Sequence, residues 1–119
     1  MTESSVTEPL DLPEFIDLID DEHVRSILAA TSAEPLSAGE LSDVCDVSVS
    51  SIYRRVETLE ERDLLREQTR PRADGHHESV YTASLNRFEL IIQDGEFDWE
   101  LERDEADIAD ELTRLWGKF

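Results

Sequence analysis

The strongest constraint on the fold lies between Ser37 and Leu65, where two amphipathic stretches are separated by only two residues. Ser37, Ala38, Gly39 and Glu40 form a capping box, in which the serine oxygen and the glutamate side chain each satisfy an orphan amide. Leu41, Val44 and Cys45 then supply the buried stripe of a short helix. Asp46 and Val47 make a tight connection, and Ser48 caps a longer helix whose Ile52, Val56 and Leu59 repeat at i, i+4 and i+7.

The flanks extend this pattern. Asp11 caps a short helix with Pro13 in its first turn and Phe15, Leu18 and Ile19 on one face. A second helix from about Asp21 carries Val24, Ile27, Leu28 and Thr31 on one stripe and ends before Pro35. After the Ser48 helix, Leu64 to Thr69 and Glu78 to Ala83 are strand-like, joined by a polar loop from Arg70 to His77 with Pro and Asp-Gly as turn signals. Helix, short helix, tight turn, helix and hairpin in that order spell an α+β winged helix-turn-helix.

A second hairpin follows. With Asp94-Gly95 as a two-residue turn, Gln93 faces Glu96, Ile92 faces Phe97, Leu90 faces Trp99 and Phe88 faces Leu101, which puts every large side chain except Ile91 on one side. Residues 85 to 92 also read as a helix. Asp104 caps a final helix with Ile108, Leu112, Leu115 and Trp116 on one stripe. The expected organisation is a loose tail over residues 1–9, a winged helix-turn-helix over 10–84, and a hairpin-plus-helix extension over 85–119. That extension is too apolar for a solvent tail, so it either completes the core or forms a dimer interface; the interface is expected, through Phe88, Leu90, Phe97, Trp99, Ile108, Leu112, Leu115 and Trp116.

Charge limits the functional classes. The chain has 119 residues, 39% of them hydrophobic, and a net charge of −19. That length leaves no room for a large catalytic fold, and the apolar periodicity argues against disorder. Dense carboxylates with ten arginines and one lysine (Lys118) suit a salt-rich cytoplasm. The charge is uneven: residues 1–50 carry −11, residues 51–75 are neutral and residues 76–119 carry −8. The middle third, with Arg54, Arg55, Arg62, Arg66, Arg70 and Arg72, is the segment able to approach a polyanion. The absence of a long apolar run and of a signal-like N-terminus points to a soluble, cytoplasmic protein with no membrane partner.

The stretch LSAGELSDVCDVSVSSIYRRVETLEERDLL, residues 36–65, and the DGHHESVY return resemble archaeal winged-helix regulators of the ArsR-like type, particularly small haloarchaeal ones. The likeness covers about residues 20–84. It departs at Asp63, where many relatives place glycine, in a position often left-handed that Asp tolerates better than most residues. The resemblance implies a homodimeric transcriptional regulator that binds double-stranded DNA, with the Ser48 helix in the major groove and the wing on the backbone or minor groove.

The residues agree with that implication. Arg54 can donate two hydrogen bonds to a guanine edge, Ser48, Ser50 and Ser51 stand at the helix N-terminus, and Tyr53 and Arg55 suit phosphate contacts. Arg70, Arg72, His76 and His77 belong to the wing. The competing reading makes these arginines surface charges paired with Glu57, Glu60 or Glu61, and the chain an acidic winged-helix module that binds protein. One cysteine excludes an internal disulfide and any CxxC motif. Cys45 is expected as core filler, and His23 as a surface residue. His76 and His77, adjacent on a strand, share a metal ion poorly. No nucleophile motif or phosphate loop appears, so neither an enzyme, a metal site nor a cofactor is expected; a small-molecule effector stays open.

Overall fold

The computed structural model describes residues 10–103. In chain order it holds α1 (Leu12–Asp20), α2 (Glu22–Ala33), α3 (Ala38–Cys45), α4 (Val49–Glu61), β1 (Leu65–Pro71), β2 (His77–Ala83), β3 (Leu85–Gln93) and β4 (Glu96–Arg103). The expected 1–9 tail and the helix from Asp104, with Ile108, Leu112, Leu115 and Trp116, lie outside the described residues.

Each helix starts where its cap stands. The Asp11 carboxylate accepts the Glu14 amide at 2.9 Å and that of Asp21 accepts the His23 amide at 2.9 Å. The capping box closes both ways, with the Glu40 amide donating to Ser37 Oγ at 3.1 Å and the Ser37 amide to Glu40 Oε1 at 2.8 Å. Asp46 then turns the chain in the left-handed region at φ 59°, and the Ser42 hydroxyl holds the Val47 carbonyl. Ser48 Oγ accepts the Ser51 amide at 3.1 Å, so α4 departs within three residues of the end of α3. Asp63, at φ 61°, ends the exit from α4.

The core forms where the apolar stripes of these helices meet the wing. Val24, Ile27 and Leu28 of α2, Leu41 of α3, and Ile52, Val56 and Leu59 of α4 are buried together with Phe15, Leu64, Leu65, Tyr81 and Ala83. Burying one such side chain contributes roughly 1.5–3 kcal/mol, so α4 is held by three anchors on one face while its other face stays in solvent. Thr31, also buried, spends its hydroxyl on the Ile27 carbonyl at 2.6 Å. Val44 departs from the expected stripe and is 55% exposed. The inward face of α3 runs through Ala38, Leu41 and half-buried Cys45, and Val44 lies to one side of it. His23 is half-buried rather than on the surface, its carbonyl close to the Cys45 thiol.

Strands β1 and β2 pair antiparallel from Leu65↔Ala83 to Pro71↔His77. The hairpin is longer than expected: Arg70, Pro71 and His77 belong to strands, and the tip is confined to 72–76. A cross-strand Arg70–Glu78 ion pair extends the ladder, and Pro71 is tolerated at its last rung, where no further amide is needed. Leu36 bridges Tyr81 through reciprocal backbone bonds of 2.8 and 3.1 Å, fastening the start of α3 to the wing.

Strands β3 and β4 pair in the expected register: Gln93↔Glu96, Ile92↔Phe97, Leu90↔Trp99 and Phe88↔Leu101. The helical alternative for 85–92 is therefore not adopted; the cross-strand apolar face and the Asp94-Gly95 turn, both at positive φ, decide for strand. The base of this hairpin rests on α1. Phe88 lies 4.3 Å from Phe15 between ring centroids, and Trp99 lies 6.3 Å from Phe15 and 5.8 Å from Phe88. Arg103 donates to the carbonyls of Asp63 at 2.8 Å and Arg62 at 3.1 Å, tying β4 to the exit of α4. Together these elements make an α+β winged helix-turn-helix with an added C-terminal hairpin.

Candidate nucleic-acid interface

Helix α4 is the element that presents side chains outward. Its buried line of Ile52, Val56 and Leu59 leaves Ser50, Tyr53 and Arg54 exposed near the N-terminus, with Tyr53 at 52%. The two adjacent arginines have different surroundings. Among the described residues the Arg54 guanidinium has no hydrogen-bond or ion-pair partner. Arg55 instead turns back: its Nε donates to Asp21 Oδ2 at 2.8 Å, and its Nη1 to the Ser51 carbonyl at 3.2 Å and to the Ser51 hydroxyl.

Asp21 thus caps α2 and anchors α4 with one carboxylate. Burial pushes its pKa up, but the hydrogen bond from Arg55, the amides of His23 and Val24 and the Arg55 charge outweigh that and hold it below 3.8. Beside the pair, a shallow groove of about 280 Å³ runs between α1, α2 and α4, lined by Asp17, Leu18, Arg54 and Thr58 among others.

On the wing the cations also have partners. Arg70 donates to Glu78 at 2.8 Å and to Glu40 at 3.1 Å, linking β1, β2 and the capping box of α3. Arg72 lies 3.4 Å from Glu78 and 3.9 Å from Asp74. The tip is shaped by Gly75 at φ 88° and by the Asp74 carboxylate accepting the His76 amide at 3.0 Å. His76 and His77 are exposed, with His76 Nδ1 3.3 Å from Asp74.

The sequence-derived set is therefore divided. Ser50, Tyr53 and Arg54 lie together on the open face of α4. Ser48 and Ser51 are engaged in the cap and in holding Arg55, and Arg55, Arg70 and Arg72 are paired with carboxylates of the same chain. Val49, exposed at 41% at the first position of α4, shares that face and was missed by the sequence reading. No sequence signal marked it, since Val49, Ile52 and Val56 stand at i, i+3 and i+7 and the period places Val49 with the buried stripe.

Elsewhere, burial pushes the Cys45 thiol up from its ordinary value, which disfavours the thiolate needed for redox or metal chemistry. Among the described residues no group of three or more His, Cys, Asp or Glu side chains is placed to hold a metal ion, and no helix is long and apolar enough to cross a membrane.

A family model described as a helix-turn-helix domain matches residues 19–68, from the end of α1 through α4 into β1. No curated protein matches the chain. Similar solved structures include a possible transcriptional regulator from Methanosarcina mazei Go1, 13% identical, covering 88% of this chain and 81% of that one with a TM-score of 0.48. NolR from Sinorhizobium fredii is 18% identical, covers 93% of this chain and 98% of its own, and has a TM-score of 0.47.

Proposed function

We propose that the chain is a DNA-binding transcriptional regulator of the ArsR-like winged-helix kind from a salt-adapted archaeon, that it works in the cytoplasm as a homodimer, and that it performs no catalysis. The observation that carries this reading is α4 itself: a capped helix with one buried face and an open N-terminal face holding Ser50, Tyr53 and the uncommitted Arg54. The helix-turn-helix family match supports it. In the complex α4 lies in the major groove, Arg54 reads a guanine edge, and the wing follows the backbone or minor groove. Two subunits related by a two-fold axis, paired through the C-terminal third, set their α4 helices about 34 Å apart and call for a palindromic operator.

The test is fluorescence anisotropy with the gene's own upstream DNA and with scrambled DNA, in molar KCl, comparing wild type with Arg54→Ala. Specific binding that falls by about 5- to 150-fold in the variant, the equivalent of 1–3 kcal/mol for a lost bidentate base contact, supports the regulator. Equal, negligible binding to both DNAs by folded protein favours the second reading, an acidic module that binds protein. One observation speaks for that reading: Arg70 and Arg72 are already neutralised by Glu40, Glu78 and Asp74.

A further inference from the structure

Helix α4 begins with a side chain that the fold itself does not use. Val49, at its first position, continues the row of Ile52 and Val56 one turn beyond the core and is 41% exposed. Its neighbour four residues on, Tyr53, is 52% exposed, so the two make an apolar strip at the end of the helix. Helix formation does not account for the valine, since a β-branched residue is a poorer helix former than alanine or glutamate. Nor does it follow the habit of the other helices: α1, α2 and α3 each carry a carboxylate in the first turn, Glu14, Glu22 and Glu40, and α4 carries none.

We infer that Val49 is a specificity-determining residue of this helix and packs on the C5-methyl group of a thymine in the major groove. The inference rests on the regulator reading and names one base of the site which that reading calls for. Thymine alone among the four bases presents an apolar group in the major groove; the edges of guanine, adenine and cytosine offer only acceptors and donors. An isopropyl group set against those edges strips water from them and returns no hydrogen bond. Set against thymine it buries methyl surface on both sides. The same valine therefore favours one base and penalises three.

Its surroundings complement it. Ser50 and Arg54, exposed on the adjoining face, supply the donors that Val49 lacks. Arg54 lies five positions on, about 140° round the helix and ~7.5 Å along its axis. That rise is close to two base steps of ~3.4 Å, so the expected half-site holds a thymine within about three base pairs of a guanine. Val44 is the contrasting case. It is more exposed, at 55%, but stands on α3, and the first helix of a helix-turn-helix crosses the DNA backbone instead of entering the groove. It serves as a matched control, an exposed valine that meets no base.

The test uses the full-length chain and a duplex that it selects from a random-sequence pool in molar KCl. Each thymine of the selected site is replaced in turn by deoxyuridine, which keeps the base-pairing edge and lacks only the 5-methyl group, and affinity is read by fluorescence anisotropy. One thymine per half-site is expected to weaken wild-type binding by about 4-fold when replaced, the worth of one buried methyl group. Val49→Ala is expected to bind the thymine and deoxyuridine duplexes equally, and Val49→Ser, a second variant at this exposed position, to do the same. Val44→Ala is expected to keep the wild-type ratio. No methyl-sensitive thymine, a ratio that survives in both Val49 variants, or a ratio lost in Val44→Ala overturns the contact. If folded protein selects no duplex at all, the regulator reading fails and the contact with it; a selected duplex without a methyl-sensitive thymine refutes the contact alone.

Discussion

Asp21 performs two tasks that a pair of substitutions separates. Its side chain caps α2 and holds Arg55 of α4 at 2.8 Å. Asp21→Ala removes both. Loss of an N-cap costs about 1 kcal/mol. Loss of a hydrogen bond between charged groups costs about 1.5–3 kcal/mol when buried, and here about 1–2, because Asp21 is 32% exposed and solvent screens part of the attraction. The total is about 2–3 kcal/mol. Asp21→Asn keeps a good cap and loses the charge, so it should cost only about 1–2 kcal/mol. Urea unfolding followed by circular dichroism measures both, and a cycle with Arg55→Ala should give a coupling of roughly 1 kcal/mol. The carboxyl is held below 3.8 in the folded chain, so its contribution is present above that pH and is lost as pH falls through the folded value. The gap between wild type and Asp21→Asn should therefore narrow in acid. Equal losses for alanine and asparagine, or a gap that does not change with pH, would refute the assignment of the ion pair.

Two further substitutions probe the frame around the site. Asp63 pays for φ 61° with a side chain, so Asp63→Gly is expected to raise stability by up to ~1 kcal/mol in thermal or urea melts; the Arg103 bonds to the Arg62 and Asp63 carbonyls remain, and only the exposed 3.5 Å contact to the carboxylate goes. Phe15→Leu is expected to cost about 1–2 kcal/mol through the lost ring contacts with Phe88 and Trp99, and to loosen the second hairpin in hydrogen exchange more than the first.

Much of the fold was legible because local chemistry and global packing agree. The Asp11, Ser37 and Ser48 caps and the register around Asp94-Gly95 follow from residue type and spacing, the start of α2 near Asp21 follows from its apolar period, and the left-handed Asp63 follows from the resemblance. Misjudgements arose where a pattern had to be weighed against neighbours that only folding supplies. Val44 has the spacing of a core residue but lies beside the line from Ala38 to Cys45. The wing strands run longer than the turn signals suggested because the Arg70–Glu78 pair continues the ladder. At the site, the arginines could be listed but not sorted: the partner of Arg55 is 34 positions away and that of Arg70 in the capping box is 30 away, separations that no helical or strand period announces.

That sorting changes what salt should do to DNA binding. The four arginines proposed to contact DNA (Arg54, Arg55, Arg70 and Arg72) would, if all met phosphate, release counterions with a slope of about −3.6 per subunit in log K against log salt. Yet Arg55 is bonded to Asp21, Arg70 to Glu40 and Glu78, and Arg72 lies between Asp74 and Glu78. A cation already neutralised by a carboxylate gains little by exchanging it for a phosphate, and Glu78, once released, would face the DNA with its own charge. The expected slope is therefore no steeper than about −1 per subunit, the value if Arg54 meets phosphate, and shallower where its guanidinium is spent on a guanine edge. A weak dependence of this kind is what allows an acidic protein to hold DNA where salt is abundant, since each counterion released into a concentrated solution returns little free energy. Anisotropy titrations across a series of KCl concentrations measure the slope. A value near −3.6 would mean that the wing and Asp21 pairs open on binding, and Asp21→Asn should then leave DNA affinity unchanged or raise it; a value near −1 that disappears in Arg54→Ala assigns the electrostatic contact to that one side chain.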